Sequence, residues 1–202
     1  GILLHHKELS KAEARERALK ILKQVGIPAF QERFEQYPHE LSGGMRQRIM
    51  IAIALVCGPR ILIADEPTTA LDVTIQAQIM NLIVRLKEEM RMSVILITHD
   101  LAVVAETCDR VVVMYLGQIV EEADVKELFL HPVHPYTRGM MMSIPSMSEE
   151  KPDRLYVIRG TVPLLSQIPS GCRFAPRCEY ATQRCRETIP ELAELESGHK
   201  VR

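Results

Sequence analysis

Apolar residues recur at helical spacing over three stretches of this chain and run unbroken over two short ones. The first helical stretch carries Ala14, Ala18, Ile21, Leu22 and Val25; Ser10 with Glu13 forms a capping box ahead of it, and Gly26 and Pro28 end it. In the second, Met45, Ile49, Ala52, Ile53 and Val56 share one face, Arg46, Gln47 and Arg48 start on the other, and Ser42 is the expected N-cap. The third repeats Ile75, Ile79, Leu82, Leu86 and Met90 after Asp72. Between them Ile61–Ala64 and Val94–Ile97 read as short buried strands. Strand, long helix, strand is a βαβ unit, so the strands are expected to be parallel with a right-handed crossover. That arrangement puts Asp65, Glu66 and His99 at the carboxyl ends of the strands, the edge where α/β sheets bind ligands.

Further along, a helix is expected over Leu101–Thr107, then strands Arg110–Leu116 and Gln118–Glu122 around Gly117, forming an antiparallel hairpin at the sheet's edge. Residues 123–130 read as helical. Beyond His131 the prolines crowd, eight of the chain's twelve, which marks a boundary near residue 130 and a loop-rich extension. The predicted class is α/β.

Composition narrows the reading. At 202 residues and 47% hydrophobic, the chain can bury a core, as one domain with an extension or two small ones. Its longest uncharged apolar run, Ile49–Val56, is too short to span a membrane, and no secretion signal is visible. A net charge of −1 offers no electrostatic reason to expect a nucleic acid partner. Five cysteines without a signal peptide read as thiols or metal ligands of a cytoplasmic protein.

Two chemical devices lie within thirty residues. Ser42-Gly43-Gly44 opens a helix, where unpaired N–H groups and partial positive charge favour an anion. Two poor helix formers at that place point to close approach of backbone to a ligand. Asp65 and Glu66 present carboxylates to a metal or a water. An anion and a cation handled so close together suggest a nucleotide phosphate with its magnesium.

Leu41-Ser42-Gly43-Gly44-Met45, then Ile61-Leu62-Ile63-Ala64-Asp65-Glu66, Thr69-Ala70-Leu71-Asp72 and Thr98-His99-Asp100 closely resemble the signature, Walker B, D-loop and switch histidine of the ATP-binding-cassette (ABC) ATPases. The resemblance implies that Asp65 holds Mg²⁺ through water, Glu66 acts as general base and His99 contacts the γ-phosphate. Leu41, Ser42, Gly43 and Gly44 then serve the ATP of a second ATPase subunit, and Asp72 lies at the interface with it. Met45, where many members have glutamine, is assigned no phosphate contact. The Met45–Arg48 run, His131-Pro132, His134-Pro135-Tyr136-Thr137-Arg138 and Gly171-Cys172-Arg173-Phe174-Ala175-Pro176-Arg177-Cys178 narrow the likeness to the oligopeptide, dipeptide and nickel importers. That implies transmembrane permease subunits, an extracytoplasmic solute-binding protein, and a peripheral place on the cytoplasmic face of the membrane. The expected division is a helical signature subdomain (1–57), an α/β ATPase core (58–130) and a C-terminal extension (131–202).

None of the ten glycines is followed by lysine, so the phosphate-cradling G-x-x-x-x-G-K-[ST] loop is missing from the sequence. The chain therefore reads as the C-terminal part of a longer P-loop NTPase, expected neither to bind ATP tightly nor to hydrolyse it alone. In the extension, Cys172, Cys178 and Cys185 fit neither zinc nor ferredoxin spacing. The resemblance nonetheless implies a [4Fe–4S] cluster there, with zinc or unligated thiols as alternatives. Cys57 and Cys108 read as small buried residues. Two other function classes compete: an ATPase of chromosome maintenance, disfavoured by the lack of heptads and basic surplus, and a non-catalytic interaction or metal-sensing module, which the missing phosphate loop permits but the intact Asp65, Glu66 and His99 argue against.

Overall fold

The structure, a computed structural model, describes residues 9–69, 71–144, 156–195 and 198–202; Ala70 of the expected D-loop and Pro145 and Pro152 lie outside them. It forms two compact units, Gly1–Val103 and Val104–Arg202.

The first unit opens with α1 (Lys11–Gln24), whose capping box forms as expected: Glu13 N–H donates to Ser10 Oγ and Ser10 N–H to Glu13 Oε2. Gly26, at φ 77°, ends the helix in the left-handed conformation that glycine tolerates, and Ile27 N–H closes back on the Leu22 carbonyl. A short helix α2 (Phe30–Arg33) leads to α3 (Gly43–Leu55). Next come β1 (Ile61–Asp65), α4 (Val73–Met90) and β2 (Ser93–Ile97). The strands pair in parallel, Ile61 opposite Ser93 and Asp65 opposite Ile97, as the βαβ reading requires.

One apolar cluster joins Ile21 and Leu22 of α1, Val25 just after it, Ile51, Ala52 and Leu55 of α3, and Ile79, Met80, Leu82, Ile83 and Leu86 of α4 to Leu62 of β1. In α3 the expected face is off by part of a turn: Ile53 is 68% exposed, whereas Ile51 and Leu55 are buried. The run Ile49–Val56 is apolar all round, so spacing alone could not orient it. The strands also differ from expectation. Leu62, Ala64, Val94 and Leu96 face the cluster, but Ile61, Ile63, Ile95 and Ile97 on the opposite face are 48–64% exposed. Among the described residues, then, this parallel pair is covered on one side only, where such strands are normally covered on both.

In the second unit, β3 (Arg110–Tyr115) and β4 (Gln118–Asp124) form the expected antiparallel hairpin. Leu116 and Gly117, both at positive φ, make its two-residue turn, the geometry that matches strand twist. The hairpin does not sit at the edge of the β1–β2 sheet. Among the described residues it belongs to a separate sheet of order β3-β4-β6-β5, with β5 (Ala193–Glu194) and β6 (Lys200–Val201) supplied by the chain's C-terminal segment. Among its described residues the unit also holds α6 (Val125–Leu130), α7 (Pro135–Met142), α8 (Gln183–Glu187), short 3-10 turns and irregular segments. Along the chain, α5 (Leu101–Thr107) follows β2 and precedes β3.

The His-Pro motif of the extension has a structural explanation. The fully buried Glu121 carboxylate accepts from Val133 N–H (2.7 Å), His134 N–H (3.0 Å) and His199 Nε2 (2.7 Å). His134 caps α7 by accepting from Tyr136 N–H, Pro135 occupies the first turn, and Arg138 Nε donates to the Pro132 carbonyl. Burial pushes the His134 imidazole down to about 4, so it stays neutral and able to accept. Phe174 packs edge-on to Tyr115 at 5.2 Å and beside Tyr136, while Arg177 donates to the Arg159 and Ile158 carbonyls.

Candidate functional site

The site is built at the carboxyl ends of β1 and β2. Both strands are short because polar residues follow their apolar runs, and Glu66 N–H still donates to the Ile97 carbonyl at 2.9 Å, holding the two exits together. Glu66 is at φ 46°, a left-handed backbone that costs a residue bearing a Cβ roughly 1 kcal/mol or more. That turn aims its carboxylate across to β2, where His99 Nδ1 lies 2.7 Å from Oε1. Thr69 Oγ1 donates to the other carboxylate oxygen at 3.0 Å. The His99 hydrogen bond holds the Glu66 carboxyl below its ordinary range, and the same bond and charge raise His99 above its ordinary 6.5. The pair is open to water, with the His99 side chain 86% exposed. Asp65, the last residue of β1, is exposed beside it. The acids are therefore surface groups at the strand ends, and hard oxygen donors of this kind suit magnesium, which keeps several waters.

The glycine turn lies at the start of α3. Ser42 Oγ accepts from Met45 N–H at 3.3 Å, so Ser42 is the N-cap. Its two glycines differ. A Cβ on Gly43 would meet nothing within 4 Å, which leaves its backbone open to a ligand. A Cβ on Gly44 would lie 3.2 Å from Ile75 Cγ2, so this glycine also lets α3 pack on α4. Leu41 is buried, and its carbonyl accepts from Arg46 Nη1. Asp72 caps α4, its carboxylate accepting from Ile75 N–H at 2.9 Å. The structure thus brings Asp65, Glu66 and His99 together, while Ser42–Gly44 and Asp72 begin the two helices that flank the β1 exit.

A model of the ABC transporter family matches residues 2–69, and one for the oligopeptide/dipeptide transporter C-terminal region matches residues 120–185. The oligopeptide transport ATP-binding protein AppD of Bacillus subtilis is 54% identical over the whole chain. The dipeptide transport ATP-binding protein DppD of Haemophilus influenzae is 53% identical over 95% of it. The chain belongs to the ABC transporter family, and along its length it is similar to ATP-binding proteins of oligopeptide and dipeptide import. It spans 61% of the length of the first of these relatives and 58% of the second. Among solved structures, cbiO1 of Clostridium perfringens, part of an ABC transporter complex, superposes at TM-score 0.55 with 36% identity, over 61% of this chain and 48% of that one. The ADP conformation of MJ1267, an ATP-binding cassette, gives the same score at 26% identity, over 64% of this chain and 51% of that one. The fold is that of an ABC ATPase fragment.

Against this family pattern, Thr69 and Gln47 escaped the sequence reading as site residues. Gln47 Nε2 donates to the Pro67 carbonyl at 2.5 Å, and Gln76 Nε2 to Asp100 Oδ2 at 2.8 Å. No spacing rule marks a side chain that bonds a distant backbone carbonyl. The cluster expected at the three cysteines finds no support. Cys172 N–H bonds the Cys185 carbonyl, and a Cβ on Gly171 would stand 2.4 Å from that same oxygen, so the segments meet through backbone. Among the described residues, no three His, Cys, Asp or Glu side chains are grouped to hold a metal ion. A [4Fe–4S] cluster takes four thiolates, and Cys172, Cys178 and Cys185 do not fit one. Cys57 and Cys108 are half-buried rather than buried.

Proposed function

We propose that this chain is part of the ATP-hydrolysing subunit of an importer for oligopeptides or dipeptides. The observation that carries the reading is the strand-end constellation: Asp65 and Glu66 ending β1, His99 following β2, and a 2.7 Å contact between Glu66 and His99. Asp65 would hold Mg²⁺, which would supply neutralisation of phosphate charge. Glu66 polarises the attacking water, and its left-handed backbone fixes where the carboxylate points. His99 holds Glu66 until a γ-phosphate offers a competing partner for the imidazole. Leu41, Ser42, Gly43 and Gly44 present the N-terminus of α3 to the ATP of a second ATPase subunit, and Asp72 stands at that interface. The signature subdomain spans 1–57, the ATPase core 58–130 and the transporter-specific extension 131–202. The partners are a second ATPase subunit, transmembrane permeases and a solute-binding protein, with the subunit peripheral on the cytoplasmic face; no helix among the described residues is long and apolar enough to cross a membrane.

The test uses the complete subunit in its complex. Glu66→Gln is expected to abolish ATP turnover while leaving ATP binding intact and a closed dimer trapped, and Ser42→Arg to block closure. Normal turnover by Glu66→Gln would remove the base assignment. The 202-residue chain alone is expected to show neither tight ATP binding by calorimetry nor turnover.

A further inference from the structure

Three consecutive side chains of α3 leave the helix in different directions, and each ends on a main-chain carbonyl. Arg46 Nη1 donates to Leu41 O (2.9 Å), Gln47 Nε2 to Pro67 O (2.5 Å) and Arg48 Nη1 to Val25 O (2.8 Å). The Arg46 bond ties the Ser42–Gly44 turn to its own helix, so the turn and α3 move together. The Arg48 bond, with a second from Nη2 to Gln78, fastens α3 to the end of α1 and to α4. Gln47 alone among the three reaches the loop that carries Glu66.

That loop is stiff. Proline fixes φ at residue 67, which is buried, and Glu66 is already held in a left-handed turn. Thr69 N–H returns to the Glu66 carbonyl and Thr69 Oγ1 to its carboxylate. A displacement of the Pro67 carbonyl therefore moves the Glu66 carboxylate instead of being absorbed by the loop. A short, half-buried amide-to-carbonyl bond is also directional, so it transmits rotation of α3 as well as translation.

We propose that Gln47 is a positioning residue that couples the phosphate-facing turn Ser42–Gly44 to the Glu66 carboxylate through the Pro67 carbonyl. Resting on the functional reading above, this makes one subunit's two contributions, the turn given to its partner's nucleotide and the base given to its own, mechanically dependent. Engagement of the turn by phosphate shifts α3, and the shift reaches Glu66 without any contact between Gln47 and nucleotide.

The test compares two substitutions in the complete subunit, assembled with its partners. Gln47→Glu keeps the shape but turns the donor into an acceptor that repels the carbonyl; Gln47→Lys keeps a donor. Gln47→Glu is expected to lower turnover at saturating ATP about tenfold, the worth of one directional hydrogen bond. KM should stay within about twofold, and the Hill coefficient for ATP should fall toward one. Gln47→Lys should restore turnover to within about threefold of wild type. Gln47→Leu replaces Gln47→Glu if the charged variant does not assemble. Wild-type turnover and cooperativity in the donor-less variants, or Gln47→Lys failing as badly as Gln47→Glu, would overturn the coupling. Glu66→Gln runs in parallel: if it turns over normally, the functional reading itself falls, whereas a dead Glu66→Gln beside a normal Gln47→Glu sinks the coupling alone.

Discussion

Replacing Glu121 tests how the second unit is held. Its carboxylate is fully buried and accepts three hydrogen bonds, from Val133 N–H, His134 N–H and His199 Nε2, the last from an imidazole that is itself buried. Glu121→Ala leaves two backbone donors and one ring donor without partners. Each orphaned buried donor costs about 1–3 kcal/mol, and breaking a buried pair from one side costs roughly 3–5 kcal/mol. The expected loss is about 4 kcal/mol, a large share of the 5–15 kcal/mol that keeps a typical domain folded. Glu121→Gln is milder: one oxygen still accepts, but the amide NH₂ now faces a donor, and about 2 kcal/mol is lost. Urea titration of the chain gives the global value. Hydrogen exchange at the amides of Val133 and His134 gives the local one, where a 2 kcal/mol loss reads as about 30-fold faster exchange at one of the two. Should Glu121→Gln cost under about 0.5 kcal/mol with both amides still protected, the carboxylate is not what anchors the segment before α7.

Other outcomes follow from the same physical reading. His99 is raised above 6.5 by Glu66, and Glu66 is lowered by His99, so the charged pair persists between those two values. It is lost in acid as Glu66 takes a proton and in base as pH rises through the raised His99 value. Proton NMR of His99 should show a midpoint above 6.5 that drops in Glu66→Gln; an unshifted midpoint would refute the pairing. Gly44→Ala should destabilise the chain by about 1 kcal/mol because its Cβ meets Ile75 at 3.2 Å, whereas Gly43→Ala, which meets nothing, should be neutral or mildly stabilising. Urea midpoints in the opposite order would show that α3 and α4 do not pack as described. Chain purified without oxygen should be colourless and free of iron, and a visible absorption band from iron bound at Cys172, Cys178 and Cys185 would reverse that conclusion.

The βαβ frame was legible because its periods are clean: Ile79, Leu82 and Leu86 are buried as their spacing predicts, and both strands run within one residue of expectation. The caps at Ser10 and Ser42 were legible too, since their side chains reach only their own first turn, whereas the cap that Asp72 makes emerged only in the fold. The orientation of α3 was not, because an all-apolar run has no preferred face. Nor was the pairing of β4 with β6, Glu121 opposite Val201, since two-residue strands carry no period and their partner lies far along the chain. At the site, Asp65, Glu66 and His99 announced themselves by residue type at a strand end. Gln47 and Thr69 did not, because each acts through a bond that only the folded backbone creates.

The carbonyls that receive Arg46, Gln47 and Arg48 belong to the main chain at residues 41, 67 and 25. A peptide oxygen is the same whatever side chain its residue bears. As acceptors, the receiving positions therefore place no demand on side-chain identity beyond their packing and backbone path, and no new side chain there can replace a lost donor. The constraint is one-sided. Searches for residue pairs that vary together would be blind to these links, and a mutational scan would register three intolerant neighbours on α3 with no visible counterpart.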